Sequence, residues 1–171
     1  MTFRAATAAA MRPLPFASLL VLLCFLLGIQ TAAAEMASQP GWEIHPTTHS
    51  YKDLVARLDQ AVADNKMAVV ARASATVGAK KVFDQTIPGN MVVGVYHPRF
   101  AVPMLEASIP AGIEAPIRFY ITENPDGSAT LSYKTPSFVF APYSDGNEGL
   151  TKLATELDSL FATIAQQAIA P

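Results

Sequence analysis

The chain contains three histidines, His45, His49 and His97, and they carry most of the chemistry its side chains offer. His45 and His49 have the spacing of a helical metal pair. Pro46 and the β-branched Thr47 and Thr48 disfavour a helix there, and in an extended segment four residues span about 13 Å, too far to share one ion. The pair therefore reads as two polar residues near an exposed edge. His97 stands differently: it closes an apolar strand and is followed by Pro98 and Arg99, and segments just beyond strand ends are where scaffolds place ligand contacts. Tyr96, His97 and Arg99 would offer hydrogen-bond donors and one positive charge to an anionic or carbonyl-bearing ligand. Arg118, on the polar face of a later strand with Tyr120, either joins a groove or faces water.

Other chemistry lacks carriers. The only cysteine is Cys24, and no serine stands in a Gly-x-Ser-x-Gly elbow, which removes the usual nucleophiles. No glycine-rich loop followed by lysine is present to cradle a phosphate. Acidic residues are scattered singly, with no pair set for acid–base work. Met67, Met91 and Met104 lie within apolar segments and read as core filling rather than copper ligands. No cofactor and no metal are expected. A formal charge of −2 over 171 residues supplies no basic face for a phosphate backbone, so nucleic acid is not an expected partner.

These residues follow a segment of a different kind. Residues 1–34 carry two basic residues, Arg4 and Arg12, and none of the 14 acidic ones. The apolar run from Phe16 to Ile29 would extend roughly 21 Å as a helix, short of the ~30 Å hydrocarbon core. Ala32-Ala33-Ala34 then provides small residues of the kind a signal peptidase reads, so cleavage after Ala34 is expected, with translation starting at Met1 or Met11. The alternatives are an uncleaved anchor and a lipidated Cys24. Cleavage would leave a cysteine-free chain, 46% apolar, with 10 basic residues against 14 acidic and no lasting membrane insertion. Its compartment would be extracytoplasmic, most simply the periplasm.

The elements that position the candidate residues are legible in the apolar spacing. Residues 35–47 form a leader and a first strand weakened by Pro46. Ser50 with Asp53 resembles a capping box, and Tyr51, Leu54, Val55, Leu58, Ala61 and Val62 recur at helical spacing, giving a helix over about 51–65 that a left-handed Asn65 would end. A strand at 67–73 and a short helix at 78–83 follow. Met91 to Tyr96 is a nearly continuous apolar run, suited to a central strand covered on both faces. A short helix is expected from Pro103 to Ser108. Ile117 to Thr122 and Ala129 to Tyr133 alternate around Asn124-Pro125-Asp126-Gly127, which predicts a hairpin. The aromatic set Tyr133, Phe138, Phe140 and Tyr143, stiffened by Pro136 and Pro142, suits either a pocket wall or an interface. Leu150, Leu153, Leu157, Leu160, Phe161 and Ile164 draw one stripe along a last helix ending near Ala168. Together these give one α+β domain over 48–168: an open, mostly antiparallel sheet of about five strands with helices packed on one face.

The order of five segments is distinctive: Ser50-Tyr51-Lys52-Asp53-Leu54-Val55 running to Leu58; the strand ending in His97-Pro98; Val102-Pro103-Met104-Leu105; Ala111-Gly112-Ile113-Glu114-Ala115-Pro116-Ile117; and Asp126-Gly127 leading to Leu131-Ser132-Tyr133. Over about residues 48–165 the chain resembles the family known as domain of unknown function 302. The resemblance implies a compact α+β fold, often dimeric, and brings no established reaction. This chain departs from the family in having Tyr96-His97-Pro98 where Gly-Asn-Pro is common. It also lacks the acidic residue and histidine often found near Ser74-Ala75, and the cysteines some members carry.

Three functions are compatible with this reading. The leading one is a non-enzymatic domain that binds a small ligand or a protein partner through the surface around Tyr96, His97 and Arg99. The second is an enzyme with His97 as acid–base group and Arg99 or Arg118 holding an anionic or carbonyl substrate. The third is a homodimeric structural module without ligand.

Overall fold

The first helix begins where the first strand stops, at Ser50, whose hydroxyl accepts the Asp53 amide at 3.2 Å and donates to the Asp53 carboxylate at 2.7 Å. The computed structural model describes residues 36–171, so the expected signal segment, its cleavage after Ala34 and Cys24 lie outside the described residues. Strands β1 (Trp42–Ser50), β2 (Ala68–Ala73), β3 (Asn90–Tyr96), β4 (Ile117–Glu123) and β5 (Ser128–Lys134) make one sheet in the order β1-β5-β4-β3-β2, antiparallel throughout. Helices α1 (Tyr51–Asp64), α2 (Ala75–Phe83), α3 (Pro98–Ala107), α4 (Pro136–Phe140) and α5 (Glu148–Ile169) connect and cover it. This is the single α+β domain, with an open antiparallel sheet, that the periodicity predicts.

The core lies between one sheet face and helices α1 and α5. Leu54, Leu58 and Val62 of α1 and Leu150, Leu157, Phe161 and Ile164 of α5 are buried against Val93, Phe119, Ile121 and Leu131 of the sheet. Phe119 occupies its centre, stacked on Phe161 with ring centroids 4.7 Å apart and meeting Tyr133 edge-on at 5.1 Å. The C-terminal end of α5 is tied to α1 and β1: Arg57 donates to the carbonyls of Ala168 at 2.8 Å and Ala170 at 2.5 Å, and the His49 ring bonds the Ala170 carbonyl at 2.8 Å. These side chains satisfy carbonyls that a helix end leaves without partners.

Both outer strands are interrupted. Pro46 pairs with Thr130, beyond which the β1 register shifts before Ser50; β2 shifts between Val69 and Ala71.

Several boundaries differ from the sequence reading for local reasons. Asn65 is not the left-handed residue at the end of α1. Its side chain donates to the Ala61 carbonyl at 2.8 Å, and Lys66 takes the positive φ of 61° instead. Helix α2 starts at Ala75 because Ser74 caps it, accepting from the Val77 amide at 3.3 Å. Helix α3 starts at Pro98, five residues ahead of Pro103, which sits inside it. Strand β3 is fully covered on one face, where Val93 and Val95 are buried beneath the helices; on the other face Gly94 is buried but Val92 is partly exposed.

Candidate functional site

Alternation along the strands puts Phe119, Ile121, Leu131 and Val93 under the helices, and so turns Arg118, Tyr120, Ser132 and Val92 to the opposite face. Among the described residues no second layer closes that face. The hydrogen-bond register arranges its residues in three rows running across the sheet. One row pairs Trp42 with Lys134, and Arg118 with Gly94 and then Ala71. Extending the β4–β5 register by one residue beyond Phe119 and Tyr133 sets Lys134 directly opposite Arg118. The middle row runs Ile44, Ser132, Tyr120, Val92, Ala73, and the far row Pro46, Thr130, Thr122, Asn90.

Small residues inside these rows deepen the face into a trough. Ser132 is fully buried although it points to this side. Gly94, by contrast, is covered: a Cβ there would come within 2.7 Å of Pro116 and 3.2 Å of the Ala71 methyl, so Pro116 packs over the sheet at this point and bounds the trough. The resulting cavity, about 700 Å³, is bordered by Trp42, Val92, Arg118, Tyr120 and Lys134, by Ser74 and Asn90 at one end, and by Glu114 and Val139 at the other. Such a volume falls in the range of small-molecule sites.

The charges of the trough are unevenly placed. Among the described residues neither Arg118 nor Lys134 forms an ion pair, in contrast to Arg72 with Asp59 and Lys80 with Asp84. The Lys134 ammonium stands 5.8 Å from the centre of the Trp42 ring. Glu114 accepts a hydrogen bond from the Tyr143 hydroxyl at 2.8 Å, which holds that phenol's proton on and raises its pKa. At the far end Asn90 is engaged internally, accepting from the Ala75 amide at 3.0 Å and donating to the Pro88 carbonyl at 3.3 Å.

The residues singled out from sequence are distributed over separate places. Tyr96 and His97 border a cavity of about 30 Å³ among Phe100, Met104, Leu157 and Phe161. That is the share of a single water molecule, too small for a substrate. The His97 Nδ1 accepts the Arg99 amide at 3.0 Å, so the imidazole is the N-cap of α3. The Arg99 guanidinium lies 4.4 Å over the Phe100 ring, beside a shallow depression of about 300 Å³ shared with Lys152 and Glu156. Arg118 alone of the four lines the sheet-face trough. His45 and His49 do not converge: His49 binds the α5 terminus, and the His45 Nε2 is buried without a protein partner. Among the described residues no group of three or more histidine, cysteine or acidic side chains is placed to hold a metal, and no helix is long and apolar enough to cross a membrane.

The aromatic set also disperses. Tyr133 and Phe140 are core residues, Phe138 packs over Gly41, and Tyr143 turns to Glu114. Sequence reasoning missed Lys134 and Trp42 as neighbours of Arg118. Counting the hairpin outward from its turn would have found the first, whereas the Trp42–Lys134 pairing brings together segments far apart in the chain and leaves no local signal.

The fold and the order of these segments agree with what the comparisons show. The model of a family described as domain of unknown function DUF302 matches residues 44–168, and the chain belongs to that family. A crystal structure of an uncharacterized conserved DUF302 protein from Bacillus stearothermophilus is similar in fold, with a TM-score of 0.65 at 14% identity over 75% of this chain and 99% of that one. No curated protein matches the chain.

Proposed function

We propose that this protein is an exported, non-enzymatic binding domain whose working surface is the uncovered face of the sheet. The observation that carries this reading is the trough of about 700 Å³, with Val92 and the Tyr120 ring in its middle row, on a face that no helix among the described residues covers. An open apolar surface of this kind, edged by a few polar groups, is the usual form of a small-ligand site. Export rests on the first 34 residues, whose basic start, short apolar run and Ala32-Ala33-Ala34 have the form of a cleaved signal. The experiment is a titration with the neutral apolar dye Nile red against the wild type, Val92→Arg in the trough, and Val102→Arg on the exposed side of α3. Saturable binding abolished by Val92→Arg and kept by Val102→Arg is expected. Binding unaffected by Val92→Arg, or none at all, overturns the reading.

A second copy of the chain is the other occupant with an observation in its favour: α2 buries none of its residues and exposes Val77, Val82 and Phe83. Sedimentation velocity on the wild type and on Phe83→Ser separates the two occupants.

A further inference from the structure

Resting on the trough as the binding surface, we propose that its ligand is a dissolved amphipathic anion. The acidic head would sit between Arg118 and Lys134, and the apolar body would lie along Tyr120 and Val92. Continuing the β4–β5 register one step past the Phe119–Tyr133 pair sets Arg118 opposite Lys134, and side chains so placed start about 5 Å apart. Two like charges there repel each other, and a sheet would ordinarily put an acid opposite one of them. Among the described residues neither cation has a carboxylate within ion-pair distance, and the one acid bordering the same trough, Glu114, accepts the Tyr143 hydroxyl. An anion shared by the two would relieve the repulsion and accept hydrogen bonds from a planar guanidinium and an ammonium together.

The rest of the trough then sets what is attached to the head. From the row of Arg118 to the row of Asn90 is four residues along a strand, about 14 Å, so a ligand held at the cations extends its body over the middle row. That row presents Ile44, Val92, Ala73 and the Tyr120 ring, with hydroxyls on Ser132 and Tyr120, and at the far end of the trough Asn90 already has one donor and one acceptor engaged by the backbone. Residues 35–171 carry 14 acidic against 10 basic residues, which works against adhesion to an anionic membrane surface and favours a free molecule over a lipid headgroup within a bilayer.

Trp42 is the only tryptophan in the chain and ends the same row as the two cations, so its emission reports occupancy directly. The purified full chain is titrated with decanoate, decanol and decyltrimethylammonium below micelle formation. The same titrations are run on Arg118→Gln, Lys134→Gln and the double variant, each checked by thermal melt to be folded. Decanoate is expected to bind at least about tenfold more tightly than the other two, each single variant to lose about tenfold for decanoate only, and the double variant to ignore the head group. Equal affinity for decanoate and decanol, a double variant that still prefers decanoate, or co-sedimentation with anionic vesicles in place of decanoate binding overturns the inference. If Nile red and decanol still bind in a manner that Val92→Arg abolishes, the trough reading stands while the anion fails. If no amphiphile and no dye binds, both fail.

Discussion

The imidazole of His97 accepts the backbone N–H of Arg99 at 3.0 Å, which makes these two neighbours a helix cap. An N-cap satisfies an amide that the first helical turn otherwise leaves open. His97→Ala is therefore expected to lower stability by about 1 kcal/mol in denaturant unfolding, with His97→Ser restoring most of it. Binding at the trough is expected to be unchanged in both. A His97→Ala protein of wild-type stability that has lost ligand would overturn this role.

Phe119 is fully buried and in ring contact with both Phe161 and Tyr133. Phe119→Ala removes a ring that no neighbour can replace, and a loss of about 3–5 kcal/mol is expected in chemical denaturation. A loss below ~1 kcal/mol would show that the α5–sheet contact can collapse around the gap.

The His45 Nε2 is buried without a protein partner, and its ring lies 6.0 Å from that of Tyr133. An unpartnered buried polar atom costs about 1–3 kcal/mol, and phenylalanine supplies a similar ring without one. His45→Phe is expected to raise the melting temperature. A lower melting temperature would mean that the nitrogen contributes a bond.

Burial, reinforced by the charges of Glu43 and Asp158, pushes the phenol of Tyr133 up to about 12. The folded protein thus holds this proton more tightly than the unfolded chain, whose tyrosines titrate near 10. The resulting stabilisation is fully present below pH ~10 and is lost as pH rises toward ~12, in total about 2 kcal/mol. Unfolding midpoints measured across that window should fall more steeply for the wild type than for Tyr133→Phe. Parallel curves would remove Tyr133 from the alkaline transition.

Arg57 reaches across from α1 to the carbonyls of Ala168 and Ala170. Arg57→Met keeps the apolar stem and deletes the donors, so a loss of about 1–2 kcal/mol is expected, with faster amide exchange concentrated in the last turn of α5. Exchange raised evenly across the domain would argue against a local tie.

Most of the fold could be read from spacing because local rules and tertiary packing agree in this chain. The Ser50 cap, the stripe from Leu150 to Ile164 and the hairpin around Asn124–Gly127 each involve residues close in sequence, and each stands where its pattern predicts. The trough was less legible. His97 drew attention as a reactive residue at a strand end, where a ligand contact and a helix cap have the same sequence signature; only the bond to Arg99 separates them. Arg118 was visible, but its setting depends on β1 pairing with β5 across most of the chain, and a pairing between distant segments leaves no periodicity to find. The apolar run of β3 suggested cover on both faces, whereas its outer side is the floor of an open surface.

The breaks in the two outermost strands bear on how this molecule behaves in company. A sheet with long, regular margins invites further strands from other chains and can grow into fibres. Here Pro46 removes a donor from one margin, and the slipped register between Val69 and Ala71 bends the other. Neither margin is thus a long regular template for backbone-to-backbone growth. What meets the uncovered face meets side chains, Trp42, Val92, Arg118, Tyr120 and Lys134 among them, rather than a strand edge.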